Sequence, residues 1–263
     1  MSGDDKEDQD DKDEKLAEGT LISHLLELRN RLIRAFIAWV IALIPCAWKS
    51  NELFSFIALP ILHKLPKDAH LIATGVMSPF MTPLKLSMYV ALFAAMPYLL
   101  YQVWAFVAPG LYRHEKRFAL PLLVSSVLLF YTGIAFAYLA VFPVVFQFFA
   151  KTTPPGVTMM TDITNYLDFV MRMFLAFGIA FESPVAVVLL VITGLVSLEK
   201  LKSNRGYVLI GIFIVAAMVT PPDALSMCSM ALPMYGLYEL GLLAARILQK
   251  MRREAEQQAA KAQ

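Results

Sequence analysis

Four carboxylates stand out because their surroundings make them costly or isolated. Glu182 lies deep in the apolar stretch Tyr166–Ile192, where an acid costs about 2.5–3.5 kcal/mol on insertion scales. An ionisable group so placed usually faces a bundle interior or a wet cavity, so Glu182 reads as a polar contact point or a proton-carrying group. Glu27 sits in Thr20–Arg34, with Arg31 and Arg34 at the i+4 and i+7 positions. That spacing allows an ordinary helical Glu27–Arg31 pair worth about 0.3–0.5 kcal/mol, or a carboxylate open to a guanidinium from elsewhere. Glu115 is the lone acid of Arg113-His-Glu-Lys-Arg117, just after the Pro109-Gly110 break. Asp223 follows Pro221-Pro222 and is placed to cap the next helix. Glu239 in the last apolar run is a weaker version of Glu182, and Asp168 and Arg172, four apart, are expected to neutralise each other.

Most catalytic arrangements are missing. No GxxxxGK[ST] loop is present, His114-Glu115 runs into Lys-Arg-Phe rather than HExxH, and no apolar run supplies a histidine base. Cys46 and Cys228 have no metal-ligand or disulfide spacing. The chain is expected not to be an enzyme, and to need no metal or cofactor.

The elements that must position these acids follow from composition. The 263 residues are 58% hydrophobic and 17% charged, against about 45–50% and 25% in soluble domains. Six apolar runs approach the roughly 20 residues needed to span a bilayer: Leu32–Trp48, Leu84–Ala108, Phe118–Ala150, Tyr166–Ile192, Tyr207–Val219 and Leu225–Leu243. The third is overlong and should end near Phe142-Pro143. The fifth and sixth are short. The predicted fold is therefore all-α: a polytopic membrane protein of six transmembrane helices. Kinks are expected from Pro97, Pro121, Pro143, Pro184, Pro221 and Pro233, giving a concave scaffold. A short helical stretch, Glu52–Leu65, is expected in the first external loop.

Charge placement sets orientation. With the N-terminus inside, fourteen Lys/Arg fall on cytoplasmic segments and five on external ones, so both termini are expected in the cytoplasm. The net charge of +2 divides into −6 over residues 1–18 and +8 over the rest. The domain reading is an acidic disordered tail over 1–19, a six-span domain over 20–248 and a basic cytoplasmic tail over 249–263. The first apolar run follows an acidic leader rather than a basic one, so no cleavable signal peptide is expected.

Five motifs in order carry a resemblance: His24-Leu-Leu-Glu27-Leu-Arg29-Asn-Arg31-Leu, Pro79-Phe80, Tyr101-Gln-Val-Trp-Ala-Phe106-Val-Ala-Pro109-Gly-Leu-Tyr-Arg-His-Glu115-Lys-Arg117, Ala176-Phe-Gly-Ile-Ala-Phe-Glu182 and Thr220-Pro-Pro-Asp223. Over roughly 20–248 the chain resembles TatC, the polytopic core subunit of the twin-arginine (Sec-independent) protein translocase. The resemblance implies a signal-peptide receptor in the plasma (inner) membrane, serving export of folded proteins driven by the proton-motive force. It implies twin-arginine signal peptides of folded cargo, single-span TatA/TatB-type subunits, other copies of itself and membrane lipid as partners, and no nucleic acid. Carried over position by position, Glu27 and Glu115 bind the paired arginines, and Arg29, Phe106 and Pro60 fall on family motif positions. Glu182 matches an intramembrane glutamate, and Asp223 the acid after two prolines. Where a polar residue often follows that acid four positions on, this chain has Met227.

The physics suits the implied role. Two carboxylates on neighbouring elements could each hold one guanidinium fork, which lysine cannot reproduce. Each pair would gain about 4 kcal/mol at 4 Å and a dielectric near 20, before desolvation. The alternative is a proton-coupled small-solute transporter using Glu182 and Glu239. That reading predicts inverted repeats, and none is visible.

Overall fold

The computed structural model describes residues 4–62, 70–107, 119–154, 160–220 and 223–261. Its helices are α1 (Asp4–Trp48), α2 (Ser50–Leu62), α3 (Ser78–Val107), α4 (Ala119–Phe136), α5 (Phe142–Thr152), α6 (Ile163–Ala180), α7 (Ser183–Ile192), α8 (Leu198–Ser203), α9 (Arg205–Val219) and α10 (Ala224–Lys261). Among the described residues, five stretches are long and apolar enough to cross a membrane: Ser23–Trp48, Ser78–Val107, Leu120–Phe149, Ile163–Ile192 and Ala224–Met251. The fifth of the six expected spans is α9, with 15 residues or about 22 Å of helix, short as its sequence implied. The sixth is longer than its apolar run suggested. Helix α10 continues past Leu243 to Lys261, and Glu239 within it is paired with Arg205.

Proline placement explains two interruptions. The third span was expected to end near Pro143, yet helix continues through it to Thr152. A π-helical turn over Ala137–Val141 precedes the proline, and the Phe142 amide donates to the Ala137 carbonyl five residues back. The widened turn adds a residue just before a position that has no amide to donate. The span therefore remains continuous, and Phe146, past the expected end, is buried in the core. In the fourth span Pro184 stands in the first turn of α7 and cannot bond back into α6. The chain turns at Phe181–Glu182, where the Glu182 amide bonds to the Ile179 carbonyl at 3.0 Å in a tighter turn. Pro97 and Pro233 lie inside α3 and α10, whereas Pro221 lies outside the described residues.

The core gathers where α4, α5, α6 and α10 meet. Phe142, Val145, Val170, Met173, Phe177 and Met230 are fully or almost fully buried there. Glycine lets α4 and α6 close on each other. A Cβ on Gly133 would lie 2.5 Å from the Phe177 carbonyl, and one on Gly178 would lie 2.5 Å from the Phe130 ring. By contrast α1 packs along α3 at the edge of the bundle, and its leucine stripe is turned outward. Leu25, Leu28 and Leu32 are 63%, 43% and 68% exposed, so that stripe serves lipid or a partner rather than the core.

One feature departs from the all-helical expectation. Strands β1 (His70–Ile72) and β2 (Met160–Asp162) pair in parallel, in the register His70 with Met160 and Ile72 with Asp162. The ladder ties the first long loop to the start of α6. Asp162 fixes the junction: it accepts from the Thr164 and Asn165 amides as the cap of α6, and from the amide and hydroxyl of Thr74. These hydrogen bonds, led by that of the Thr74 hydroxyl, hold its carboxyl well below the usual carboxylate range.

Candidate functional site

Two separate polar sites emerge. The first lies where α1 and α3 cross at the end of the bundle that holds the close of α3. Glu27 Oε1 accepts from both Arg31 Nε, at 2.9 Å, and Arg31 Nη2, at 2.6 Å. Of the two arrangements that the spacing allowed, the helical Glu27–Arg31 pair forms, with both guanidinium donors on one oxygen. Arg31 also reaches across to Gln102 Oε1 on α3 at 3.5 Å. One turn earlier on α1, His24 stacks on Phe106 with ring centroids 4.4 Å apart. Glu27, Arg31, Gln102, His24 and Phe106 thus form one patch. Glu27 remains about one-third exposed within it.

Arg29 is not part of this patch. Two residues advance a helix by about 200°, which carries its side chain to the opposite side of α1 from Glu27, where it is exposed and touches Asn30. Glu115 lies outside the described residues. The chain nonetheless runs from Phe106 to Glu115 in only nine residues.

The second site is the break in span four. Glu182 occupies the position before α7, and its Oε1 is buried with no hydrogen-bond partner among the described residues. Beside it the Ser126 hydroxyl of α4 lies against the carboxyl and accepts from Trp104 Nε1 of α3 at 3.1 Å. Three helices converge here on a buried, incompletely satisfied carboxyl. Such a group costs about 1–3 kcal/mol unless something else reaches it.

The remaining candidates lie elsewhere. Asp223 caps α10, its Oδ1 accepting from the Ser226 amide at 2.7 Å, as its spacing after two prolines implied. Its Oδ2 is buried and has no partner among the described residues. Pro60 falls in the backbone of α2, at the opposite end of the bundle from Glu27, and its side chain lies outside those described. Glu239 is engaged: Arg205 Nη2 donates to it at 2.7 Å and the Tyr235 hydroxyl at 3.0 Å. The expected Asp168–Arg172 pair does not form. Asp168 instead accepts from Lys85 Nζ at 3.1 Å, because α3 packs against α6 and brings an ammonium to it.

Three contributors were not singled out from sequence: Gln102, Trp104 and Ser126. All are polar or amphipathic groups within apolar runs, and that was the available signal. What they touch depends on helix pairing, which spacing along one chain does not reveal.

A polytopic helical membrane protein with one half-open carboxylate patch at a helix end and one buried carboxyl at a broken span is the class so defined. The family model for the Sec-independent protein translocase protein TatC matches residues 23–233, and the chain belongs to that family. It is 51% identical to the Sec-independent protein translocase protein TatC of Haemophilus influenzae over 229 residues, covering 87% of this chain and 90% of the relative. It is 50% identical to the TatC of Escherichia coli strain K12 over 226 residues, 86% of this chain and 88% of that one. A crystal structure of the twin-arginine translocase receptor TatC superposes with a TM-score of 0.77 at 36% identity, covering 85% of this chain and 98% of the other.

Proposed function

We propose that this chain is the signal-peptide receptor and core subunit of a translocase that exports folded proteins bearing twin-arginine signals. The observation that carries the reading is the patch at Glu27. A partly exposed carboxylate there already holds an arginine fork, beside the Phe106 ring and close in sequence to the acidic loop position Glu115. A site that binds one guanidinium internally has the geometry to bind another from a signal peptide. Glu115 would take the second arginine. Arg29, on the far side of α1, would act on neighbouring chain or headgroup rather than on the same arginine.

Glu182, with Asp223 and Pro60 nearer the other end, would give polar contacts to partner helices within the membrane. The partners are single-span TatA/TatB-type subunits and further copies of this chain, with the proton-motive force driving transport. The placement is the plasma (inner) membrane with both termini cytoplasmic, supported by the excess of Lys and Arg on one set of loops. The six-span body over 20–248 does the work, flanked by the acidic segment 1–19 and the basic tail 249–263, and no catalysis is assigned to it. The solute-transporter alternative loses one of its two carboxylates, because Glu239 is held by Arg205 and Tyr235.

The test replaces Glu115 with Ala or Lys and follows export of a folded reporter carrying a twin-arginine signal, with solute uptake as control. Export should collapse in both variants while uptake is unchanged. Normal export in both would sink the assignment.

A further inference from the structure

The face shared by α1, α3, α6 and α9 carries a charge that the receptor role does not use. Arg172 stands nine residues past the start of α6, about 14 Å along its axis and inside the apolar span Ile163–Ile192. Its side chain is exposed and, among the described residues, forms no ion pair or hydrogen bond. Asp168, one turn away, is engaged with Lys85 instead, so one carboxylate stands against two nearby cations and the three groups sum to +1. Two hollows, of about 390 and 280 Å³, meet at Asp168 and Arg172. The walls of the larger are mainly apolar, built from Trp39, Met88 and Leu92, whereas the smaller sets Asn165 and Thr220 beside Phe169 and Met218 and is the more polar end of the groove.

A lone guanidinium within a membrane span is expensive unless an anion or water meets it. The groove limits what that anion can be. A phosphodiester bears the single negative charge that a net +1 group balances, and its oxygens accept a guanidinium fork in two parallel bonds. The apolar walls suit acyl chains and would repel a fully hydrated ion. A zwitterionic headgroup would bring an ammonium towards Lys85 and Arg172, which disfavours it. We propose that this groove holds one anionic phospholipid, with its phosphate on Arg172 and Lys85 and its chains along the walls of Trp39, Met88 and Leu92. This lipid site is independent of signal recognition at Glu27.

Native mass spectrometry of the full-length chain in detergent provides the test. The probes are phosphatidylglycerol, phosphatidylethanolamine, uncharged diacylglycerol and inorganic phosphate. Wild type should retain one phosphatidylglycerol, and Arg172→Gln should retain it about tenfold less. Arg172→Lys should fall between them with an unchanged melting temperature, which excludes misfolding. Asp168→Asn, raising the local charge, should retain at least as much as wild type. Equal retention by Arg172→Gln and wild type would overturn the site. So would diacylglycerol or phosphatidylethanolamine held as tightly as phosphatidylglycerol, since the groove would then be merely apolar. Displacement of the lipid by inorganic phosphate beyond that caused by sodium chloride of equal ionic strength would show a free-anion site, and would equally overturn the lipid.

Discussion

Glu27 and Glu182 are both glutamates on or within membrane-spanning helices, yet the bundle treats them oppositely. Glu27, at the crossing of α1 and α3, is about one-third open to solvent, and its Oε1 accepts both donors of the Arg31 guanidinium. Glu182, at the break between α6 and α7, has one oxygen buried and unsatisfied. An incoming guanidinium at Glu27 meets a carboxylate that Arg31 already occupies on one oxygen, so binding there is largely exchange of one guanidinium for another at little net desolvation. At Glu182 a partner adds a bond to an oxygen that has none. Exchange favours reversible, specific recognition at an exposed end, while an unfilled acceptor within the span favours a contact made during assembly or transport.

The largest expected effect tests the exchange half of this comparison. Glu27→Gln keeps shape and removes charge, so a twin-arginine peptide should bind about tenfold or more weakly, in line with the 1.5–3 kcal/mol of a hydrogen bond to a charged group. Titration of labelled signal peptide measures it, and unchanged affinity would assign Glu27 to local pairing with Arg31 alone. Next in size is Ser126→Ala, which strips the buried Trp104 indole of its acceptor. A loss of about 1–3 kcal/mol is expected in denaturant unfolding, far more than a solvent-exposed serine would cost.

Glu182→Met separates stability from function. Replacing an unsatisfied buried carboxyl with an apolar group of similar length should leave the melting temperature equal or a few degrees higher, while export falls. A variant both less stable and fully active would reverse the assignment of Glu182 as an unfilled acceptor. Arg31→Gln should tighten signal-peptide binding a few-fold, because the incoming guanidinium no longer competes with an internal one. Weaker binding would instead make Arg31 a support of the patch.

The smallest effect concerns Asp162, a third carboxylate and a fully satisfied one. Its folded-state pKa is depressed, so it stabilises the fold at pH values above the ordinary carboxylate range. As pH falls below about 4 the unfolded chain takes up its proton first, and that contribution is progressively lost towards the lower folded value. Melting temperature recorded from pH 7 to pH 3 should drop on the acid side, and Asp162→Asn should flatten that drop. An identical acid profile in the variant would show that the Thr74 hydrogen bonds contribute nothing.

Much of this molecule was legible from residue order alone. Apolar run length placed the spans, since a bilayer imposes a minimum on any segment crossing it. The i, i+4 spacing gave the Glu27–Arg31 pair, and Pro-Pro-Asp gave the cap at Asp223, because both depend only on local helix geometry. Spacing failed for Asp168 and Arg172 for an instructive reason. The same local rule applied, but a lysine on another helix competed for the carboxylate and took it. It failed also at Pro143, where a π-helical turn absorbed the missing amide and the helix ran on.

Residue order alone settles whatever acts over one or two helical turns or over the thickness of a membrane: spans, caps, breaks and the scarcity of acids in an apolar body. Only the tertiary structure decided which side chains meet across helices. Phe106 stacking on His24, Trp104 reaching Ser126 beside Glu182, and Lys85 claiming Asp168 all join elements far apart in sequence. The physical reason is that a lipid-facing helix can be apolar on every side, so hydrophobic periodicity does not mark its partner face. Packing fit between helices selects that face instead: the close approach at Gly133 and Gly178, and the few polar groups that must find one another away from water.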